Sequence, residues 1–267
     1  MRPIITLTTD FGLDDPFVGI MKGVILRIAP TAELVDITHR IEPQNVRQAA
    51  YTLQSAFSWF PENTVHLVVV DPGVGGGRRA LAAKTGGHRF VAPDNGALTP
   101  ILDADAGRVY ELTQSKYFLH PVSATFHGRD VFAPAAAWLA RGTPLSKMGA
   151  RVRDPKTLAL PQPSFQRNTL KGEIVHIDRF GNLMSNISAE LLHRYFAVKT
   201  DALKIRVGGK SAGAMVDSYS RCQKGEPGCI LNSWGCLEVF CREAAAAERF
   251  KSRVGAAITV TANRTGK

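Results

Sequence analysis

VHLVVVDPGVGGGRR, residues 65–79, is the stretch from which the fold can be read. Val65 to Val70, apolar except at His66, reads as a buried strand, so Asp71 stands at its carboxyl end, the edge where open α/β sheets bind ligands. Downstream, FHGRDVFAP (126–134) supplies a histidine and opens another helix. Asp71, Arg78 and His127 thus form an acid, an arginine and a histidine that one small site could collect, suited to handling water and lacking a nucleophilic Ser or Cys. Gly73, Gly75, Gly76 and Gly77 do not form a phosphate loop, because the Walker Gly-Lys-Ser/Thr ending is absent and the spacing is not G-x-G-x-x-G. They are expected to let the backbone approach a ligand closely.

Outward from this strand, residues 3 to about 145 alternate strand and helix, which predicts an α/β domain with a mostly parallel sheet flanked by helices. Ile4 to Thr8 is the first strand. Phe17, Ile20, Met21, Val24, Ile25 and Ile28 recur at helical spacing up to Pro30. Leu34 to Ile37, Phe90 to Ala92 and Val109 to Leu112 read as further strands. Val46 to Phe57, Leu98 to Leu102 and Val131 to Leu139 read as helices, the last with Asp130 as N-cap.

LPQPSFQ (160–166), punctuated by proline and free of charge, suits a linker with a domain boundary near residue 165. The expected domains are 1–163 and 168–267. The second has short strands with Gly and Asn turns at Gly172 to Ile177, Leu183 to Ile187, Leu203 to Val207, Gly228 to Leu231, Leu237 to Cys241 and Ala257 to Thr261, with one alanine-rich helix from Arg242 to Phe250. That pattern predicts a smaller, β-barrel-like domain.

A hydrophobic share of 45% with 21% charged residues is ordinary globular composition. No signal-peptide pattern and no membrane-length apolar run appear, so a cytoplasmic protein without a membrane partner is expected. The formal net charge is +10, yet the basic residues form no cluster along the chain and no nucleic-acid-binding motif is present, so the charge reads as solvated surface and no nucleic-acid partner is expected. Cys222, Cys229, Cys236 and Cys241 lack the paired spacing of zinc ribbons and read as reduced thiols, with no metal site.

Six blocks in order, TTDFGLDDPFVGIMKGVI (8–25), DPGVGGGRR (71–79), FVAPDNG (90–96), FHGRDVFAP, IDRFGNLMSNI (177–187) and NSWGCLEVF (232–240), resemble the S-adenosylmethionine hydroxide adenosyltransferases, relatives of enzymes that attach halide to the 5′ carbon of adenosine. The resemblance covers nearly the whole chain. It implies hydrolysis of S-adenosylmethionine to adenosine and methionine, with no cofactor, in a homotrimer whose sites lie between the first domain of one subunit and the second domain of its neighbour. The family's arginine lies seven positions after the aspartate, which selects Arg78 over Arg79. The resemblance further assigns the ribose hydroxyls to Asp10, the methionine amine to Asp178, the adenine to Phe180 and Asn182, and the methionine carboxylate to Ser233, and Tyr219 is a further candidate neighbour of the adenine. Gln44 and Trp234 stand where halogenating relatives carry a tryptophan and an arginine.

The chemistry matches the residues. A sulfonium already makes the 5′ carbon electrophilic and methionine a neutral leaving group, so the site needs only to deliver one oxygen nucleophile in line and exclude other water. Asp71 is read as the orienter and candidate proton acceptor, with Arg78 and His127 stabilising the developing hydroxide. Two rivals remain at this level. A halogenase is disfavoured because a carboxylate about 4 Å from a halide repels it by about 4 kcal/mol at an effective dielectric of 20, although Gly128 suits either nucleophile. A non-catalytic S-adenosylmethionine or adenosine sensor has no need of the Asp-Arg-His group.

Overall fold

The computed structural model describes residues 2–104, 108–196 and 203–262. The chain forms two compact units, Met1–Ala159 and Leu160–Lys267. The first is built on a seven-stranded sheet of β1 (Ile4–Thr9), β2 (Glu33–Thr38), β3 (Val65–Val69), β4 (Ala80–Thr85), β5 (His88–Pro93), β6 (Arg108–Glu111) and β7 (Arg151–Val152), in the order β2-β1-β3-β5-β4-β6-β7. Helices α1 (Phe17–Ile28) and α4 (Ala133–Ala140) share one apolar core with one face, through Met21, Ile25, Ala136 and Leu139 against Ile5, Leu7, Leu67 and Val91. On the other face α2 (Val46–Ala56) and the residues around α3 (Thr99–Ala104) pack Leu53, Leu98 and Ile101 against Val68, Leu81 and Phe90. Both faces being covered, every residue of β3 is buried, as a strand with near-continuous apolar character requires.

The α/β class holds, with a sheet that is mixed. β2, β1, β3 and β5 run parallel, whereas β4, β6 and β7 add antiparallel. The difference comes from β4, whose alanine-rich ALAAKT gives no strand signal but which folds back on β5 through Gly86 and Gly87, both at positive φ. Asp130 is not an N-cap. It lies within a π-turn, Gly128–Phe132, that precedes α4, and its carboxylate accepts from Ser123 N and from Arg129. Pro134 has no N–H to give the carbonyl of Asp130, which instead accepts from Leu119 N, so the α-helical ladder cannot begin earlier.

His66 interrupts the apolar run of β3 at no cost in unpaired polarity, since Thr6 Oγ1 lies 2.9 Å from its Nδ1 and His88 Nδ1 lies 3.2 Å from its Nε2. Burial, then the neighbouring His88, push the His66 pKa down to about 3. The folded state therefore binds fewer protons than the unfolded one between pH ~6.5 and ~3, and stability should fall as pH drops through that window, by about 1.4 kcal/mol per pH unit from this residue. Urea unfolding at a series of pH values should show this slope, and His66→Gln should lose it; an unchanged slope in the variant would assign the acid sensitivity elsewhere.

The second unit is an eight-stranded antiparallel sheet of β8 (Ser164–Gln166), β9 (Thr169–Ile177), β10 (Leu183–Ser188), β11 (Leu203–Val207), β12 (Lys210–Ser211), β13 (Pro227–Leu231), β14 (Cys236–Cys241) and β15 (Ala257–Ala262), in the order β12-β11-β15-β9-β10-β14-β13, with β8 also on β9. Its core, from Leu170, Ile187, Val239 and Val260, is closed by α5 (Ala189–Tyr195) and α6 (Ala246–Phe250). The proline segment read as a linker is part of this unit, because Ser164–Gln166 pairs with β9 and Pro161 O accepts from Asn186. The helix expected from Arg242 begins only at Ala246. Before it, Glu243 takes a left-handed φ of 54° and Ala244 turns back onto Cys241 O, while Ala247 N donates to Gly181 O, so packing on the Phe180–Gly181 turn displaces the helix start.

Candidate active site

Within the first unit a cavity of about 330 Å³ opens at the carboxyl ends of β1 and β3, lined among others by Asp10, Phe11, Gln44, Asp71, Phe126 and His127. Asp71 and Arg78 are both largely buried, at 6% and 8% side-chain exposure, so their pairing is little screened by water. Arg78 Nε lies 3.0 Å from each Asp71 carboxylate oxygen, and its Nη2 donates to Oδ2 as well. The same Nη2 lies 2.8 Å from His127 Nδ1. Arginine has no acceptor, so Nδ1 must accept and the proton of a neutral imidazole sits on Nε2. Burial, and then the Arg78 charge, hold the His127 pKa below its ordinary value, which agrees with a neutral ring. Arg78 also lies over the Phe132 ring, 5.0 Å from its centroid.

Two loops distant in sequence meet here. Gly75 has a φ of +74°, and a Cβ on it would stand 2.2 Å from the Ala124 carbonyl oxygen. The glycine expected to admit a ligand thus admits the segment that carries His127. Arg79 points to different partners, Asp94 Oδ2 at 2.6 Å and Asp154 Oδ1 at 2.9 Å, and does not reach Asp71. Asp10, just past β1, accepts from Gln44 N at 2.8 Å through Oδ2, and Gln44 itself is held at a positive φ of 66°.

A second cavity, of about 860 Å³, lies within the other unit and gathers Asp178, Phe180, Asn182, Tyr219 and Ser233. Asp178 organises its own turn. Its Oδ1 accepts from Phe180 N and Asn182 N, each at 2.9 Å, and its Oδ2 from Asn182 Nδ2 at 3.1 Å, which leaves the Phe180 ring projecting, 78% exposed. Gly181 permits this turn, with φ +82° and a would-be Cβ 2.6 Å from Ala245 Cβ.

The two-part family model for SAM hydroxide adenosyltransferases matches residues 5–149 with its N-terminal domain and 172–259 with its C-terminal domain. The chain belongs to this family. An (R)-S-adenosyl-L-methionine hydrolase of Thermus thermophilus is 37% identical over 96% of the chain and 98% of its own length, and one from Salinispora arenicola is 43% identical over 71% and 74%. A fluorinase of Actinoplanes is 29% identical over 97% and 98%. Among solved structures, an uncharacterised Thermotoga maritima protein superposes with a TM-score of 0.92, at 38% identity, covering 97% and 99% of the two chains.

Sequence reasoning missed Glu238 and Asn232. Glu238 is 1% exposed at the back of the second cavity, where Oε1 accepts from Tyr219 OH at 2.8 Å and Oε2 from Asn232 Nδ2 at 3.1 Å. Asn232 Oδ1 in turn accepts from Trp234 N and Cys236 N, so this one carboxylate ties Tyr219 to the turn that presents Ser233. Burial raises the Glu238 pKa, and burial followed by the bond to Glu238 pushes that of Tyr219 up to about 12. The signal was present: an acid between apolar neighbours in CLEVFC, on the strand face shared with Phe240. All four cysteines are unpaired thiols, and among the described residues no group of three or more His, Cys, Asp or Glu could hold a metal ion. No helix of the described residues is long and apolar enough to cross a membrane.

Proposed function

We propose that this chain hydrolyses S-adenosyl-L-methionine to adenosine and L-methionine by in-line attack of water on the ribose 5′ carbon. The observation that carries the reading is the Asp71–Arg78–His127 relay. Asp71 offers carboxylate lone pairs to a water hydrogen, and His127, its tautomer set by Arg78, offers Nε2–H to the water oxygen, so one water can be held by an acceptor and a donor at once. As the oxygen bonds to the 5′ carbon, the carbon–sulfur bond breaks with its electron pair going to sulfur, giving neutral methionine. The proton lost from the attacking water passes to Asp71 or to solvent. His127 is a donor here and not the base.

Because the sulfonium is its own leaving group, neither a metal nor a cofactor is required. Incubation in ¹⁸O-water with a chelator should place one ¹⁸O on the 5′-hydroxyl of adenosine. Unlabelled adenosine, or activity abolished by the chelator and restored by a divalent ion, would overturn the mechanism.

The adenine is assigned to Phe180, Asn182 and Tyr219, the methionine amine to Asp178, its carboxylate to Ser233, and the ribose to Asp10. An aromatic face with a polar edge suits a purine, and an anion suits an ammonium. The family resemblance implies a homotrimer, and the fall of water-handling and purine-handling groups on separate halves of the sequence is compatible with subunits that complete one another's sites. Mixing inactive Asp71→Ala with inactive Asn182→Ala, under conditions that exchange subunits, should restore part of the activity; no recovery despite exchange would place each site within one chain. Four reduced thiols suit a cytoplasmic location.

A further inference from the structure

The basic residues that form no cluster along the sequence do so in space. Lys84 on β4 is directly paired with Arg89 on β5 on one side and with Arg108 on β6 on the other. The three cations therefore stand in one row across neighbouring strands about 4.8 Å apart, an arrangement in which like charges destabilise the sheet. No carboxylate among the described residues pairs with any of them. Lys84 and Arg108 make no hydrogen bond there either, and Arg89 reaches only Asn63, at 3.3 and 3.4 Å. The row borders a cavity of about 310 Å³ whose other walls are Tyr110 and the segment Gly142–Ser146. Tyr110, Thr143 and Ser146 also line this cavity, and none of their hydroxyls has a hydrogen-bond partner among the described residues.

This place is remote from the Asp71 cavity. Arg89 is paired with Val65 at the start of β3, whereas Asp71 follows the other end of that strand six residues later, about 20 Å away at ~3.3 Å per residue. We propose that the Arg89–Lys84–Arg108 row is a second binding site, for a small polyphosphate anion. A single carboxylate would neutralise one of three charges, while a short phosphate chain carries three or more negative charges along the ~10 Å that the row spans, with donors on both sides of it. A nucleic-acid strand fits less well, because the Gly142–Ser146 wall bounds the row where a strand would need a continuing track.

Calorimetric titration of the full-length protein at about 0.1 M salt, without added metal, provides the test. Tripolyphosphate should bind saturably at one site per chain. Lys84→Ala and Arg108→Ala should each weaken it by roughly 10- to 100-fold, the range for loss of one charged hydrogen-bond partner. Hydrolysis of S-adenosylmethionine should be unchanged in both variants, and their thermal midpoints should not fall, since each relieves repulsion in the row. Equal binding of ATP and tripolyphosphate would assign the phosphate chain alone, and tighter ATP binding would add the nucleoside; either supports the site. Absence of saturable binding, full affinity in the Lys84→Ala/Arg108→Ala double variant, or tighter binding of a twelve-nucleotide DNA strand than of tripolyphosphate would overturn it.

Discussion

Asp71→Asn should lower turnover by roughly 10²- to 10⁴-fold, the usual contribution of a positioned acid or base. Asparagine keeps the size and one acceptor oxygen but removes the charge that orients water and can take its proton. It also turns an amide N–H₂ toward Arg78, where both carboxylate oxygens now accept from the guanidinium. Substrate affinity should change little, because the substrate contacts are assigned to other residues. Single-turnover hydrolysis and a binding titration of the same variant separate these quantities, with thermal unfolding to show that the buried guanidinium has not cost the fold. Near wild-type turnover would remove Asp71 from the mechanism. Equal losses in rate and affinity would recast it as a binding residue.

Arg78→Lys should be nearly as damaging, with a fall of roughly 10²- to 10³-fold in turnover, the range for deleting one preorganised donor in an active site. Lysine keeps the charge but cannot place Nε on both Asp71 oxygens while Nη2 serves His127, and it cannot stack as a plane over Phe132. Without the donor that fixes Nδ1 as an acceptor, the His127 ring is free to take the other tautomer and present a lone pair where a donor is needed. The control stands one residue away. Arg79→Lys, acting on a guanidinium held by Asp94 and Asp154, should leave turnover unchanged, and a comparable loss there would mean that the effect is structural.

Much of this architecture is legible in the sequence where one physical signal dominates. The apolar run before Asp71 reads as a buried strand and is one, covered on both faces, and the helical recurrence from Phe17 to Ile28 matches α1 end to end. Legibility fails where local signals are weak or overruled. Ala80–Thr85 has no β-branched pattern and is a strand because the Gly86–Gly87 turn returns the chain to a partner. The alanines before Phe250 have high helix propensity, yet their first turn is taken by packing on Phe180–Gly181. For the site, motif order brought forward Asp71, Arg78 and His127, which the fold does bring together. The tautomer of His127, the tie from Glu238 to Tyr219, and the alignment of Lys84 with Arg89 and Arg108 depend on pairings between residues far apart in the chain, which no local window contains.

The close passage of Gly75 beneath the Ala124 carbonyl bears on how the Asp71–Arg78–His127 group could be moved into another protein. Asp71 and Arg78 sit on one short loop and invite transplantation as a cassette. A second loop lies against it at Gly75, and that second loop supplies His127. A graft of residues 71–78 alone would carry the acid and the arginine but neither the histidine nor the backbone that seats them. The smallest transferable unit is the pair of loops together with the glycine that lets them touch.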